Sequence, residues 1–221
     1  MRIALATCRA IPDLDLDDRS LAAAFRARGI ESHPVVWDDP DVEWRSFAAV
    51  VVRSVWDYAR KCDAFTDWAK SLEIPVYNTP AVLLWNTDKR YLSVLERAGL
   101  PVIATRWFDS IESLDRLEVG PLYSAATECV VKPVVSAGAK DTLRFDIQSL
   151  NAIRTHASGI LESGRAVMVQ PYLQAIESNG ETALIYFRGG FSQSIRKGAL
   201  LSERGKAPDG DLIANEVIEA R

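Results

Sequence analysis

The stretch that decides the fold runs from Glu128 to Thr142 and reads Glu-Cys-Val-Val-Lys-Pro-Val-Val-Ser-Ala-Gly-Ala-Lys-Asp-Thr. Its first part, Cys129–Val131, is a short apolar run with β-branched residues, which predicts a buried strand. Lys132 closes that run, and Pro133 keeps the chain extended. Because a lysine anchored at the end of a buried strand is costly unless an anion meets it, the stretch indicates a site for a negatively charged ligand.

The loop after this strand has almost no side chains. The backbone N–H groups of Ser136, Ala137, Gly138 and Ala139 can therefore approach a phosphate closely. Together with Lys132, these residues predict a nucleotide-phosphate site. The alternative interpretation is a strand that ends in a surface lysine and a flexible turn.

The composition of the whole chain excludes several classes of protein. Its 221 residues are 48% hydrophobic and 25% charged, which suits a globular protein of one or two domains. A net charge of −4 provides no basic surface for nucleic acid or membrane. The three cysteines lie far apart, without a pattern for zinc or disulfides. No signal peptide or membrane span is evident, so we expect a cytoplasmic protein.

Upstream of the deciding stretch, short apolar runs alternate with helical patterns. This alternation predicts a small open α/β sheet with parallel strands over roughly the first 80 residues. The predicted strands are Arg2–Thr7, Glu31–Trp37, Phe47–Val52 and Val76–Asn78. The predicted helices are Asp17–Arg28 and Ala59–Leu72.

Chemically active side chains follow the third of these strands, in the run Arg53-Ser54-Val55-Trp56-Asp57-Tyr58. Ligands of open α/β sheets bind beyond the carboxyl ends of the strands. Arg53 can hold a substrate carboxylate as a bidentate pair, with Trp56 and Tyr58 as the walls of the pocket. Alternatively, Arg53 pairs with Asp57 and the two rings only cover the edge of the sheet.

A further helix is predicted from Asn86 or Thr87, as the capping residue, to about Ala98. Lys89 and Arg90 would lie in its first turn, where the helix dipole disfavours cations. A bound anion at this helix start would explain two such residues, although two solvated charges are the alternative.

Downstream, the pattern becomes mixed α+β. Strand Ala166–Val169 opens into Gln170-Pro171-Tyr172-Leu173, and an extended segment of this kind leaves backbone C=O and N–H groups that can pair with an adenine edge. A hairpin is predicted around Arg188-Gly189-Gly190, and its second arm ends at Arg196-Lys197. The remaining predicted elements are an extended segment at Pro101–Trp107, helices at Ser110–Leu117 and Ile147–Glu162, a loop at Glu118–Thr127, and hairpin arms at Glu181–Phe187 and Phe191–Lys197.

In this order, the motifs resemble the ATP-grasp superfamily. The stretches Arg53–Tyr58 and Trp85–Leu92 are most similar to its glutathione synthetase-like branch, which includes a cycloserine-forming cyclo-ligase. The resemblance implies a pre-ATP-grasp α/β domain over residues 1–80 and an ATP-grasp domain over residues 81–221. The second domain would have an N-terminal subdomain at about 100–173 and a partial C-terminal subdomain at 174–221.

The resemblance also implies roles for individual residues. ATP phosphates would be held by Lys89 and Lys132, and the small-residue loop of Ser136, Ala137 and Gly138 would close over them. Adenine would pair with the hinge, Gln170, Pro171, Tyr172 and Leu173, through the C=O of Pro171 and the N–H of Leu173. Glu177 would bind the ribose hydroxyls, and Arg196 or Lys197 would reach the terminal phosphate.

The implied activity is that of an ATP-dependent carboxylate–amine ligase with ATP and Mg²⁺ as cofactors. A small amino-acid-like substrate would react through an acyl phosphate, and a homodimer is one assembly that this class allows. Two other interpretations stay open. One is a nucleotide-binding or regulatory module without catalysis, and the other is a small-ligand-binding α/β protein that uses Arg53–Tyr58 without a nucleotide.

The magnesium ligands cannot be assigned from the sequence. In the family they are an Asp, then a Glu and an Asn, on strands beyond the hairpin. Because the chain ends at Arg221, we expect an ATP-grasp domain that is incomplete at its C-terminus, through either truncation or a degenerate metal site. The oxygen ligands available there are Asp209, Asp211, Asn215, Glu216 and Glu219.

Overall fold

The computed structural model describes residues 1–117, 126–199, 201, 204–206 and 219–220. The chain divides into two compact units, Met1–Tyr91 and Leu92–Arg221. The first unit extends beyond residue 80, where the sequence placed a domain boundary, because the helix that begins at Pro80 packs on the core of that unit through Leu83. None of the described helices is long and apolar enough to cross a membrane.

A four-stranded parallel sheet forms the centre of the first unit. Its strand order is β2-β1-β3-β4, with β1 at Arg2–Thr7, β2 at Glu31–Val36, β3 at Val50–Ser54 and β4 at Val76–Tyr77. The helices of this unit are α1 at Leu16–Arg26, α2 at Cys62–Ser71 and α3 at Pro80–Thr87. The predicted parallel α/β sheet is therefore confirmed.

Both faces of this sheet carry a hydrophobic core. Ala4 and Val50 belong to one cluster, whereas Leu5 and Val51 belong to the other. Successive side chains of a strand point to opposite faces, so a strand that is apolar throughout supplies both cores. Gly29 follows α1 with a φ of 71°, the left-handed conformation that commonly ends a helix.

The helix predicted to run to about residue 98 exists, but its predicted start at residue 86 or 87 is wrong. Thr87 is the last residue of α3 rather than a cap, and its Oγ1 donates to the Leu83 C=O at 2.6 Å. The next helix, α4, spans Tyr91–Arg97 and begins after a turn. Asp88 Oδ1 accepts the N–H of Arg90 at 2.8 Å in that turn, so the carboxylate of Asp88 supplies the break in the helix. Lys89 and Arg90 therefore precede the helix, and the argument from its dipole fails.

The second unit contains an antiparallel sheet with the order β5-β8-β6-β7. Its strands are β5 at Arg106–Phe108, β6 at Glu128–Pro133, β7 at Leu143–Asp146 and β8 at Val167–Pro171. Helix α5 spans Ile111–Leu114, α6 spans Leu150–Glu162 and α7 spans Ala175–Asn179. The buried face of α6 packs on this sheet through Ile153, Ala157 and Ile160.

Strand β7 was not predicted from the sequence. It occupies the four residues before Ile147, for which no element was predicted. The helix predicted to begin at Ile147 is α6, which begins three residues later, at Leu150. Leu143 and Phe145 pack with the core, while Arg144 and Asp146 alternate with them. Residues 118–125, the greater part of the predicted loop Glu118–Thr127, lie outside the described residues.

The predicted hairpin is confirmed. Strand β9 spans Glu181–Phe187 and β10 spans Gly190–Lys197, and β11 at Glu219–Ala220 pairs with β10. The two turn residues, Arg188 and Gly189, have φ values of 53° and 79°. A two-residue turn in which both φ values are positive matches the twist of the flanking strands.

Candidate functional site

Lys132 lies inside β6, opposite Met168 of β8, and the strand continues to Pro133 rather than ending at the lysine. Burial lowers the pKa of Lys132, and the negative charge of Glu181 opposes that change. Removing an ammonium group from water disfavours its charged form, whereas an oxyanion beside it restores the charge. The position thus suits a phosphate oxygen.

The register of the hairpin decides which basic residue faces Glu181. Glu181 lies directly opposite Lys197, and Thr182 lies opposite Arg196. Side chains of directly opposed residues project from the same face of an antiparallel pair. Lys197 therefore shares the face of Glu181, whose charge acts on Lys132. Of the two predicted basic residues, Lys197 is the one on this face of the hairpin, and Arg196 projects from the other.

The small-residue loop has a firmly held base. Ser136 Oγ donates to the Pro133 C=O at 3.3 Å, and Gly138 has a φ of 59°. At the far end, Arg165 Nη1 donates to Asp141 Oδ2 at 2.6 Å, and His156 Nε2 lies 3.0 Å from the Asp141 C=O. Because a carbonyl oxygen can only accept, the ring N–H of His156 donates this hydrogen bond, and burial lowers the pKa of the ring. Ala137 and Gly138, two of the residues expected to cover phosphates, lie between these anchors.

The predicted hinge is more regular than expected. Gln170 and Pro171 belong to β8, and the Tyr172 N–H donates to the Glu128 C=O at 2.9 Å. Because backbone groups alternate in direction along a strand, the C=O of Pro171 faces away from β6. Among the described residues, the N–H of Leu173 has no hydrogen-bond partner. The pairing of β8 with β6 thus uses neither of the two backbone groups expected to pair with adenine.

The side chain of Glu177 belongs to a charged cluster that was not predicted from the sequence. Its Oε1 accepts from Arg144 Nη1 at 2.6 Å and from the Tyr172 hydroxyl at 3.4 Å. Arg144 also donates to Glu128, with Nε 3.0 Å from Oε1 and Nη2 2.5 Å from Oε2. The signal that could have revealed Arg144 is the alternation of apolar and charged residues in Leu143–Asp146, which is typical of a strand.

In the first unit, Arg53 is paired with Asp18. The Nε and Nη2 atoms of Arg53 lie 2.7 and 2.5 Å from Asp18 Oδ1, and Ser54 Oγ donates to Asp18 Oδ2 at 2.6 Å. The expected alternative, a pair between Arg53 and Asp57, is therefore wrong. Asp57 instead accepts from Lys61 at 3.0 Å and from the indole N–H of Trp37 at 2.9 Å.

The two rings near Arg53 have different surroundings. Tyr58 packs on Phe65, with ring centroids 5.8 Å apart, and belongs to the border of the core. Burial raises the pKa of Tyr58, and so do the charges of Cys62 and Tyr91. Trp56 is 46% exposed. Their role as the walls of a pocket stays a prediction.

Comparison with known proteins places this geometry in a family. Residues 3–82 match the sequence profile of the N-terminal domain of D-cycloserine synthetase DcsG. The cycloserine biosynthesis protein DcsG of Streptomyces lavendulae is 34% identical over 215 residues, which covers 94% of this chain and 69% of that relative. The chain belongs to the DcsG family.

Solved structures extend the similarity to the fold. The crystal structure of D-cycloserine synthetase DcsG superposes with a TM-score of 0.87 at 30% identity, over 100% of this chain and 75% of that one. The ATP-grasp ligase PsnB, complexed with a phosphomimetic variant of its minimal precursor, Mg and ADP, gives 0.55 at 21% identity, over 99% and 75% of the two chains. The D-alanine–D-alanine ligase of Bacillus anthracis, complexed with ATP, gives 0.65 at 15% identity, over 90% and 66%.

These likenesses show that the DcsG-family chain has the fold of ATP-grasp ligases. The second unit contains Lys132, the small-residue loop, the hinge, Glu177 and the basic end of the hairpin. The first unit contains Arg53, Trp56, Tyr58 and Lys89.

The described part of this DcsG-family chain contains no group of three or more His, Cys, Asp or Glu side chains that could hold a metal ion. The oxygen ligands considered from the sequence lie outside the described residues, apart from the backbone of Glu219. The three cysteines are free thiols. Burial raises the pKa of Cys129 to about 12, so this thiol is inert near neutral pH.

Proposed function

We propose that this protein is an ATP-dependent carboxylate–amine ligase that acts on a small amino-acid-like substrate. The observation that carries the proposal is Lys132, a partly buried lysine on the strand that pairs with the hinge strand β8. The similarity of almost the whole chain to a cycloserine biosynthesis protein supports the same reaction class.

The reaction would have two steps. A substrate carboxylate oxygen attacks the terminal phosphorus of ATP, which forms an acyl phosphate and releases ADP. An amine then attacks the acyl carbon, the C–O bond to phosphate breaks, and an amide and inorganic phosphate result. Because the protein forms no covalent bond with the substrates in these two steps, its contribution is to position the reactants and to stabilise the developing charge.

Each group in the site would have a defined task. Lys132 and Lys89 would bind phosphate oxygens as point charges, and Lys197, or Arg196, would reach the terminal phosphate. Ser136, Ala137 and Gly138 would cover the phosphates with their backbone N–H groups. Bound Mg²⁺ would neutralise charge on the transferred phosphoryl group.

The nucleoside and the second substrate would bind through other groups. The C=O of Pro171 would accept from adenine N6–H, and the N–H of Leu173 would donate to N1. The carboxylate of Glu177 would accept from the ribose hydroxyls. Arg53, with Trp56 and Tyr58 nearby, would bind the carboxylate of the amino-acid substrate.

The test is turnover with a pool of amino acids in the presence of ATP and Mg²⁺, measured as release of ADP and phosphate. Hydroxylamine added to the reaction traps an acyl phosphate as a hydroxamate. We expect Lys132→Ala to abolish nucleotide binding or nearly so, whereas Lys70→Ala, at an exposed pair with Asp67, leaves it unchanged.

Each failure has its own meaning. Unchanged nucleotide affinity in Lys132→Ala rejects the site. ATP binding without turnover by the wild type favours a nucleotide-binding or regulatory module. If ATP causes no thermal shift beyond that of other anions, the small-ligand-binding interpretation gains support instead.

A further inference from the structure

We propose that Arg144 is a positioning residue for the nucleotide, which orients Glu177 and Tyr172 for recognition of the ribose hydroxyls. This inference rests on the proposed function, because it requires that ATP binds at the hinge. Arg144 itself touches neither the reacting atoms nor the phosphates in this proposal.

The position of Arg144 is fixed on several sides. Its side chain is only 9% exposed, and it pairs through Nε and Nη2 with both oxygens of Glu128, whose side chain is 2% exposed. Its backbone C=O accepts from the Gly205 N–H at 2.9 Å, and Nη1 donates to the Leu201 C=O at 3.2 Å. A two-pronged guanidinium–carboxylate contact restricts the plane of the guanidinium group. The direction of the remaining Nη1 is therefore set before any ligand arrives.

Tyr172 is held by the same two residues. The guanidinium carbon of Arg144 lies 3.7 Å from the centroid of the Tyr172 ring, and the Tyr172 N–H donates to the C=O of Glu128. A stacked guanidinium fixes an aromatic ring through cation–π attraction. The ring held in this way brings the Tyr172 hydroxyl within 3.4 Å of Glu177 Oε1.

The third contact orients Glu177. Arg144 Nη1 and the Tyr172 hydroxyl both donate to Oε1 of Glu177, so Oε2 is the oxygen that faces neither partner. The side chain of Glu177 is 50% exposed, and an untethered glutamate with that exposure would sample many rotamers. Holding one oxygen in advance removes part of the entropy cost of binding two ribose hydroxyls with the other.

The ribose hydroxyls provide a direct test of this role. Calorimetric titrations compare ATP with 2′,3′-dideoxy-ATP on the wild type, Arg144→Met, Glu177→Gln and the double variant. We expect Arg144→Met to weaken ATP about tenfold and the dideoxy analogue by less than about twofold. In the Glu177→Gln background, Arg144→Met should have little further effect on ATP, since the two residues act through one contact.

Two further variants distinguish a loss of nucleotide binding from a loss of folding. Arg144→Met leaves the buried Glu128 with fewer partners, so Arg144→Met is also combined with Glu128→Gln, which removes the buried charge. Arg154→Met serves as a matched control on the exposed face of α6 and should bind both nucleotides as the wild type does.

The proposal is overturned if a folded Arg144 variant keeps the wild-type ratio of ATP to dideoxy-ATP affinity, because Arg144 would then be only structural. It is equally overturned if the effects of Arg144→Met and Glu177→Gln add in full. A wild type that binds neither nucleotide rejects the proposed function itself, and that result differs from both of the others.

Discussion

Arg53 has hydrogen-bonding capacity beyond its ion pair. Asp18, with a side chain only 5% exposed, receives the Nε and one Nη2 hydrogen, while the Arg53 side chain is 45% exposed. A guanidinium group has five N–H donors in a planar fork, so three remain, two of them on Nη1. The exposed edge of the Arg53 guanidinium group can therefore bind a second carboxylate, and Asp18 would hold the guanidinium group in place.

Arg53→Lys should separate substrate binding from nucleotide binding. A lysine cannot reproduce the fork, so we expect the amino-acid substrate to bind roughly tenfold more weakly, a loss of at least ~1.4 kcal/mol, while ATP affinity stays nearly intact. The measurements are the KM for the amino acid in the ADP-release assay and the Kd for ATP. Arg45→Lys, at an exposed pair with Glu73, is the control. If Arg53→Lys weakens both ligands equally, or changes only the melting temperature, the carboxylate pocket lies elsewhere.

The junction between α7 and β9 controls the base of the hairpin. Gly180 has a φ of 67°, and a Cβ atom there would clash with the backbone oxygen of Lys197. Since Lys197 is the basic residue on the face of Glu181, this single glycine helps to place the end of the hairpin that we propose to bind phosphate.

Gly180→Ala should therefore destabilise the protein. The positive φ alone costs roughly 1–2 kcal/mol for a residue with a Cβ, and the backbone contact adds to this cost. Gly159→Ala is the matched control, because Gly159 lies on α6 with nothing within 4 Å of the added Cβ, and it should gain up to about 1 kcal/mol. Urea denaturation measures both free energies of unfolding. Equal changes in the two variants would contradict this account.

At the scale of the whole molecule, each compact unit has its own hydrophobic core. In the first unit, two clusters cover the two faces of the parallel sheet, and in the second, one cluster lies between α6 and the antiparallel sheet. A domain with its own core can in principle fold alone. Leu83 of α3 packs on the core of the first unit, so this unit needs residues beyond 80.

Fragments of the first unit test this division. We expect residues 1–91 to unfold cooperatively in urea, as a single domain does, and residues 1–80 to be less stable by about 1–3 kcal/mol through loss of the Leu83 contact. Circular dichroism follows both transitions. Identical midpoints for the two fragments would show that α3 adds nothing, and a gradual transition for residues 1–91 would contradict an independent core.

Much of the fold follows from local sequence. The turn at Arg188-Gly189 accepts two positive φ values, so the hairpin could be placed without any tertiary information. The apolar run of β6 predicted a buried strand, and the charge of Lys132 predicted an anion near it. These features depend on conformational preferences and solvation of neighbouring residues, which the sequence states directly.

The partners of charged side chains were decided by the tertiary structure. Arg53 lies four residues from Asp57, yet it pairs with Asp18, 35 residues away, because the start of α1 reaches the end of β3. Arg144 meets Glu128 only because β7 pairs with β6 in one register. A shift of that register by one residue would turn every side chain of β7 to the opposite face. An ion pair thus depends on which elements become neighbours, and no local preference along the chain encodes that choice.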